Sequence, residues 1–339
     1  MRSPVLLLGC ALLAACNFPA DDNAPVGSKG LWVANGTHVV EYNPGQLQGA
    51  TGSVTPHVSI NSEIFGAPDG VAFDPRGNLW VVDSSANING TPTPALYEFS
   101  AAQLASLGTD NSPDPVAVIT STFLQGPRQI VIDVLGNAWI TDLTANAVMT
   151  YTAAQLSQSG PHAIAPVLFI SSSQFNGVSG IAFDSNGNLW VANNGTAALA
   201  GTTIVEITQA HIPAMPEQGT TTTQLVADVT LSDVGGATIE APWALAFDSS
   251  NALWSTNSST STIVSFAAAS LVTGAPAAAV TLSGASIDHP HGVCIDDVGN
   301  LAVVVSTGIN VFAPSQTSPS AVIKSDDTGQ GCTFGPAVK

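Results

Sequence analysis

The feature that most limits how this chain can fold is a short pattern that recurs at irregular intervals. In each copy an apolar residue followed by Asp lies seven positions before a Trp or its substitute. The copies are Phe73 to Trp80, Ile132 to Trp139, Phe183 to Trp190, Phe247 to Trp254 and Ile295 to Ala302. This internal register stays constant while the copies stand 48 to 64 residues apart, which is typical of a radial β repeat with variable loops. The pattern predicts an all-β propeller.

Each copy expands into four short strands separated by turn residues. In the clearest copy we expect strands at 70–74, 79–83, 95–99 and 115–119. Residues 28–60 supply only the last three strands of a further copy, and residues 331–336 resemble the missing first strand. Pairing the C-terminal strand with the N-terminal blade would remove the open edges of the sheet. We therefore predict one domain, 28–339, with six blades closed in this way.

The complete repeat can be compared with known families. Residues 68–81 read Pro-x-Gly-Val-Ala-Phe-Asp-x-x-Gly-Asn-Leu-Trp-Val, which resembles the NHL-type repeat of six-bladed propellers. The resemblance covers residues 28–336 and extends distantly to the senescence-marker-protein and gluconolactonase group and to the streptogramin lyases. It implies the fold. Because such propellers include ligand-binding, scaffolding and hydrolytic members, the resemblance does not select a function.

The N-terminus resembles the leader of a bacterial lipoprotein. A short apolar run ends in Leu-Ala-Ala-Cys, similar to a lipobox, in which cleavage precedes the cysteine and the cysteine receives the lipid. The resemblance implies a signal peptide at 1–15, lipidation at Cys16 and a tether at 16–27. Asn17 further implies the outer membrane if the cell is Gram-negative. The alternative is an ordinary signal peptide cut elsewhere. With the lipid on Cys16, we expect the protein to be anchored in the bacterial cell envelope.

The chain carries few charges, and most of them are negative. It has 6 Lys and Arg against 24 Asp and Glu, a formal net charge of −18. No basic patch can neutralise phosphates, which excludes nucleic acid as a partner. Anionic headgroups would also repel the domain, so membrane attachment would come from the lipid on Cys16.

Two cysteines remain in the propeller region, in a compartment where disulfides persist. The repeat aligns Cys294 with Ala72 and Cys332 with Val71, so their side chains leave neighbouring inner strands on opposite faces. Opposite faces of adjacent blades face each other, so a disulfide between Cys294 and Cys332 can form if the two strands belong to adjacent blades. Two buried free cysteines are the alternative.

In propellers of this type the residue inside Pro-x-Gly lies at the mouth of the central channel. Six different residue types fill that slot, which favours a binding surface. They are Asp69, Arg128, Ser179, Trp243, His291 and Gln330. We expect the second strands to end at the same face, at Asn35, Asp83, Asp142, Asn193, Asn257 and Ser306. Asp83 and Asp142 could form a charged ligand pocket with Arg128, or the three side chains could pair with one another in a surface network. Trp243 could stack on a ligand or pack as a lid over the neighbouring loop.

Metal binding and catalysis have weaker support in the sequence. His289 and His291 could offer imidazoles to a metal with Asp69 beside them, but His291 is also the middle residue of a Pro-x-Gly repeat. Lactonase-like propellers imply a divalent cation held by Asn, Asp and Glu at the mouth, and only Asp69 fits. Lyase-like propellers imply a general base where His291 stands, without its usual Glu and His partners. We predict no cofactor and no catalytic residue, with a divalent cation as the alternative.

Three functions stay open at this point. The first is a lipid-anchored, extracytoplasmic propeller that binds a small molecule, a glycan or an envelope protein at its mouth without catalysis. The second is a metal-dependent hydrolase or lyase that uses Asp69, Asp142, Asn193 and His291 around the channel. The third is a structural envelope protein, which is favoured if Trp243 and its neighbours plug the mouth.

Overall fold

A computed structural model describes residues 29–108, 111–195, 202–233, 238–325 and 329–338. The predicted signal peptide 1–15, the lipidation site Cys16 and the tether 16–27 lie outside these residues. Within the described ranges, no helix has the length and apolar character needed to cross a membrane.

Strands account for almost all of the regular structure. The first part of the chain contains β1 (Lys29–Asn35), β2 (His38–Tyr42), β3 (Thr51–Ser53), β4 (Val58–Ile60), β5 (Pro68–Phe73), β6 (Leu79–Ile88), β7 (Thr91–Phe99), α1 (Ala101–Leu104), β8 (Ala117–Thr120), β9 (Pro127–Ile132), β10 (Ala138–Asp142), β11 (Ala147–Tyr151), α2 (Ala153–Leu156), β12 (Gly160–Ala163) and β13 (Leu168–Ser172). The remainder contains β14 (Val178–Phe183), β15 (Leu189–Asn193), β16 (Thr203–Ile207), β17 (Thr221–Leu225), β18 (Val229–Ser232), β19 (Pro242–Phe247), β20 (Leu253–Asn257), β21 (Thr262–Phe266), β22 (Val280–Leu282), β23 (Gly292–Ile295), β24 (Leu301–Val305), β25 (Gly308–Phe312), β26 (Ala321–Lys324) and β27 (Gly329–Pro336). Two 3-10 turns lie at Gln209–His211 and Ala268–Ser270.

These strands form six sheets, the blades, and the prediction of a six-bladed all-β propeller is confirmed. From the channel outward, the blades are β27-β1-β2-β4, β5-β6-β7-β8, β9-β10-β11-β13, β14-β15-β16-β18, β19-β20-β21-β22 and β23-β24-β25-β26. They are numbered 1 to 6 in that order. The predicted closure is present, because β27 pairs antiparallel with β1, with Trp32 opposite Thr333.

The repeated Asp and Trp have a structural explanation in the turn between the first and second strands. Asp133 accepts hydrogen bonds from the N–H groups of Leu135 and Asn137, both at 2.9 Å, and from Trp139 Nε1 at 3.0 Å. Asp74, Asp184 and Asp248 bond to Trp80, Trp190 and Trp254 in the same way. The indoles then pack between blades, as the sequence predicted. We call the side of the ring that carries these turns the tip face.

At the opposite end, the mouth face, the glycine of Pro-x-Gly lets neighbouring inner strands come close. A Cβ on Gly70 would lie 2.8 Å from the carbonyl oxygen of Arg128, and one on Gly180 would lie 2.8 Å from that of Trp243. Larger residues at these positions would push the blades apart. In blades 1, 2, 4 and 6 the glycine therefore lets the variable residue before it approach the next inner strand closely.

The structure joins Cys294 and Cys332 by a disulfide, with their Cα atoms 5.9 Å apart. Cys294 lies on β23 of blade 6 and Cys332 on the closing strand β27 of blade 1. The bond therefore ties the last strand of the chain to the preceding blade as well as to β1.

Candidate functional site

The six residues of the Pro-x-Gly slot meet at the mouth of the channel. They lie near the mouth ends of the six inner strands, which contact one another there. Ser179 is almost completely buried, and its hydroxyl donates to the carbonyl of Pro242 at 2.9 Å. Gln330 is half-buried, and its carbonyl lies against Gly292. Ser179 therefore connects blades 4 and 5, whereas Arg128, Trp243, His291 and Gln330 are half-buried and Asp69 is buried.

Asp69 and Arg128 form an ion pair between blades 2 and 3. Arg128 Nη1 donates to Asp69 Oδ1 at 3.1 Å. The Asp69 side chain is 7% exposed and the Arg128 side chain 28%. Burial raises the pKa of Asp69 to about 6, against the opposing effects of Arg128 and Ser84. The remaining guanidinium N–H groups of Arg128 have no hydrogen-bond partner within the described ranges and can serve a ligand.

Arg128, Trp243 and His291 form a stack across the mouth. The guanidinium carbon of Arg128 lies 5.5 Å from the centroid of the Trp243 ring, a cation–π distance. The His291 ring lies 4.8 Å from the same ring with an interplanar angle of 50°. Blades 3 and 5 are not neighbours, so Arg128 and Trp243 meet where blade 4 contributes only the small Ser179. We call Asp69, Arg128, Trp243 and His291 the mouth cluster.

His291 is the titratable base of this cluster. Burial lowers the pKa of His291, a hydrogen bond to the Gly329 backbone raises it, and the electrostatic effects of His289 and Arg128 lower it further. Its Nδ1 atom is buried, with no hydrogen-bond partner in the part of the chain that is described. A neutral imidazole can donate a hydrogen bond to a ligand oxygen or accept one from a ligand hydroxyl.

The structure completely buries four of the six residues that end the second strands, where the sequence analysis expected side chains at the mouth. Asp83, Asp142, Asn193 and Asn257 have no exposed surface. Asp83 accepts from the N–H groups of Gly66 and Ala67, both at 2.9 Å. In blades 3, 4 and 5, Asp142, Asn193 and Asn257 accept from Gln125 N, Asn176 N and Glu240 N at 2.7–3.1 Å. They fasten the loop that enters their own blade and are not available to a ligand.

Two residues that the sequence reasoning missed position the mouth. Blades 3 and 5 lack the glycine of Pro-x-Gly, having Gln129 and Ala244 instead. In blade 3 the hydroxyl of Thr141 accepts a hydrogen bond from Gln129 N, and in blade 5 the hydroxyl of Thr256 accepts one from Ala244 N. Each hydroxyl also donates to a backbone carbonyl of the next blade. Thr141 bonds to the carbonyl of Ser179, and Thr256 bonds to that of His291 at 3.2 Å. The residues at the glycine position, Gln129 and Ala244, were the sequence signal that could have revealed these two threonines.

The metal candidates do not converge. His289 Nδ1 lies 2.7 Å from Asp288 Oδ1 on an exposed loop, whereas His291 stacks on Trp243 and Asp69 pairs with Arg128. In the described ranges no group of three His, Cys, Asp or Glu side chains could hold a metal ion.

A small cavity of about 160 Å³ lies along the central channel, between the inner strands. All six inner strands line it, with mostly apolar side chains such as Val71, Ile181 and Leu245. Ligand sites are commonly about 300–1,000 Å³. The cavity therefore suits a ligand less well than the surface of the mouth cluster.

Comparison with known proteins supports the fold. No family model and no curated protein sequence matches the chain. A chain of a nidogen/laminin complex has 15% identity and a TM-score of 0.60, with 92% of this chain and 100% of that chain covered. A Bacteroides caccae protein of unknown function has 9% identity and a TM-score of 0.58, covering 91% and 100%. A candidate 6-phosphogluconolactonase of Bacteroides fragilis has 12% identity and a TM-score of 0.53, covering 93% and 84%. At these identities the likeness shows a β-propeller fold and nothing about function.

Proposed function

We propose that this chain is a lipid-anchored, extracytoplasmic propeller of the bacterial cell envelope that binds a ligand at the mouth cluster without catalysis. The observation that carries the proposal is the stack of Arg128, Trp243 and His291 across the channel mouth. The repeat makes structural use of its Asp, Gly and Trp positions. The stacked side chains come from different blades and remain partly exposed, and His291 Nδ1 is buried without a hydrogen-bond partner among the described residues.

The topology suits an anchor at the N-terminus. Lys29 pairs with Pro336 at the tip face, and β1 then runs to Asn35 at the mouth face. A tether at 16–27 would therefore reach the domain on the side opposite the mouth. Lipid on Cys16 would leave the mouth cluster facing away from the membrane and open to the compartment.

The chemistry of the cluster fits a neutral saccharide. An indole can stack on a sugar ring, the guanidinium can donate to hydroxyl oxygens, and His291 can donate or accept. A net charge of −18 disfavours anionic ligands at long range. An envelope glycan is therefore favoured over an anionic small molecule, with an envelope protein as the remaining partner class.

The test is a glycan-array screen of the mature protein in detergent micelles, followed by calorimetric titration of the glycans it retains. Trp243→Ala is expected to lower affinity at least tenfold, since stacked aromatic residues dominate such sites. Leu135→Ala is the matched control, because Leu135 is 70% exposed on the tip face. Equal affinities for the two variants would remove the mouth cluster from the site.

A metal-dependent hydrolase or lyase is the second candidate function. The observation in its favour is the buried, unpartnered Nδ1 of His291 beside the carboxylate-bearing mouth. Adding calcium, magnesium, manganese or zinc to the metal-free mature protein tests it through the melting temperature. A saturable rise that His291→Ala abolishes would favour the enzyme, and an unchanged melting temperature would leave the binding module.

A further inference from the structure

The outer edges of the blades are covered by segments of the following blade. β12, β17 and β3 each add a parallel fifth strand, to β8, β13 and β26 respectively. The edges of β4 and β18 receive single parallel bridges, Ile60 with Asn111 and Leu231 with Gly274. Five outer edges are therefore covered by the chain itself, and each time the covering segment comes from the next blade around the ring.

The edge of β22 in blade 5 differs because the following blade has a short connection. The covering segments lie between the third and fourth strands of each blade, where the connections are 43–57, 100–116, 152–167, 208–228 and 267–279. In blade 6 the corresponding connection is only 313–320. Eight residues must leave β25 and return to β26, which leaves too little chain to reach blade 5.

The unpaired groups on β22 can be identified by comparison with blade 4. There Gly274 donates to the carbonyl of Thr230 at 3.0 Å and accepts from the N–H of Ser232 at 2.8 Å. The bond from Ala279 N to Ser265 O, at 2.7 Å, corresponds to that from Asp228 N to Glu206 O. The counterparts are thus the carbonyl of Thr281 and the N–H of Ser283, for which the described ranges contain no partner.

This edge also lacks the features that usually prevent strand addition. Residues 277–283 read Ala-Ala-Ala-Val-Thr-Leu-Ser, with no charge and no proline. Thr281 and Ser283 are exposed, and no bulge interrupts the pairing of β22 with β21. Edges without charges, prolines or bulges readily accept another strand.

We propose that the edge of β22 is a docking site for an extended segment of a second protein, which adds a parallel fifth strand to blade 5. The covered edges define the chemistry of that segment, which is extended and uncharged where it pairs, like Thr221–Leu225. The net charge of −18 favours basic residues beside the pairing segment. A second copy of this chain would bring the same negative charge and is disfavoured.

The test uses the mature protein in detergent micelles and a synthetic peptide with the sequence of residues 219–226 between flanking lysines. Saturable binding is expected, with slower hydrogen exchange at the Ser283 amide in the complex. Ser283→Pro removes the outward N–H and is expected to lower affinity about fivefold or more. Ser283→Ala keeps the N–H and is expected to bind the peptide as the unaltered protein does.

Several outcomes would overturn the proposal. They are the absence of saturable peptide binding, equal binding by the two Ser283 variants, or equal binding of a peptide N-methylated at alternate residues. A concentration-dependent dimer that Ser283→Pro abolishes would assign the edge to a second copy. A Ser283 amide that exchanges slowly without peptide, and quickly after deletion of residues 17–28, would assign it to the tether.

Discussion

The tip face and the mouth face of this propeller use the same repeat for different purposes. At the tip face, Asp74, Asp133, Asp184 and Asp248 make the same bonds to a turn and to a Trp. At the mouth face, one slot holds six residue types. Identical bonds in several blades indicate a structural requirement, while variation leaves side chains free for other contacts.

Variation at the mouth face is not sufficient evidence of function. Four ends of the second strands, at Asp83, Asp142, Asn193 and Asn257, also vary between Asp and Asn, yet these side chains are buried and accept hydrogen bonds from loop N–H groups. Arg128 and His291 instead retain groups without partners in the described ranges. The unused hydrogen-bonding capacity distinguishes the two sets.

The largest effect is expected from the disulfide, because β27 serves both faces. It contributes Gln330 at the mouth and accepts from Trp32 Nε1 at Pro336 O, 3.1 Å away, at the tip. Replacing Cys294 and Cys332 with Ala should lower the free energy of unfolding by about 4 kcal/mol, the chain-entropy value for a separation of 38 residues. Urea unfolding measures it, and an unchanged value would mean that strand pairing alone closes the ring.

The turn of blade 3 should show the next largest effect. Asp133→Ala removes the acceptor of several buried hydrogen bonds and should cost about 3 kcal/mol. Glu63→Ala, at an exposed carboxylate, is the control. If the two variants melted alike, the repeated Asp would lose its structural role.

A smaller, pH-dependent effect separates blade 4 from blade 2 within the tip face. Burial, with Asp184 and Asp228 nearby, raises the pKa of Glu206 from 4.5 to about 7. The contribution of Glu206 to the free energy of unfolding is therefore fully present below pH 4.5 and is lost as the pH rises through 7. Glu206→Gln should gain on the order of 1 kcal/mol over the unaltered protein at about pH 8, and almost nothing at acid pH.

The matched variant in blade 2 is Glu98→Gln. Burial raises the pKa of Glu98 too, but Arg76 Nη2 lies 4.0 Å from its carboxylate and opposes the shift. At alkaline pH, Glu98→Gln should raise the free energy of unfolding by less than Glu206→Gln does. Thermal unfolding at several pH values measures both, and a larger gain for Glu98→Gln would contradict the assigned charge environments.

The fold could be predicted from the sequence because each blade repeats the same local requirements. The spacing of Asp and Trp gave the blades, and the likeness of residues 331–336 to an inner strand gave the closure. The membership of the mouth slot also followed from the repeat. The burial of Asp83 and Asn257 did not, because their partners are backbone N–H groups that no motif reveals. The stack of Arg128 on Trp243 joins two non-adjacent blades, which repeat alignment alone does not place together.

The most direct test of the mouth cluster compares binding with stability in a single variant. Trp243→Ala should reduce the free energy of unfolding by only about 1 kcal/mol, since its ring is half-buried. Its affinity for a glycan retained by the mature protein should fall at least tenfold in calorimetric titration, while Leu135→Ala leaves both quantities unchanged. Undiminished affinity in Trp243→Ala, with or without a loss of stability, would contradict the account.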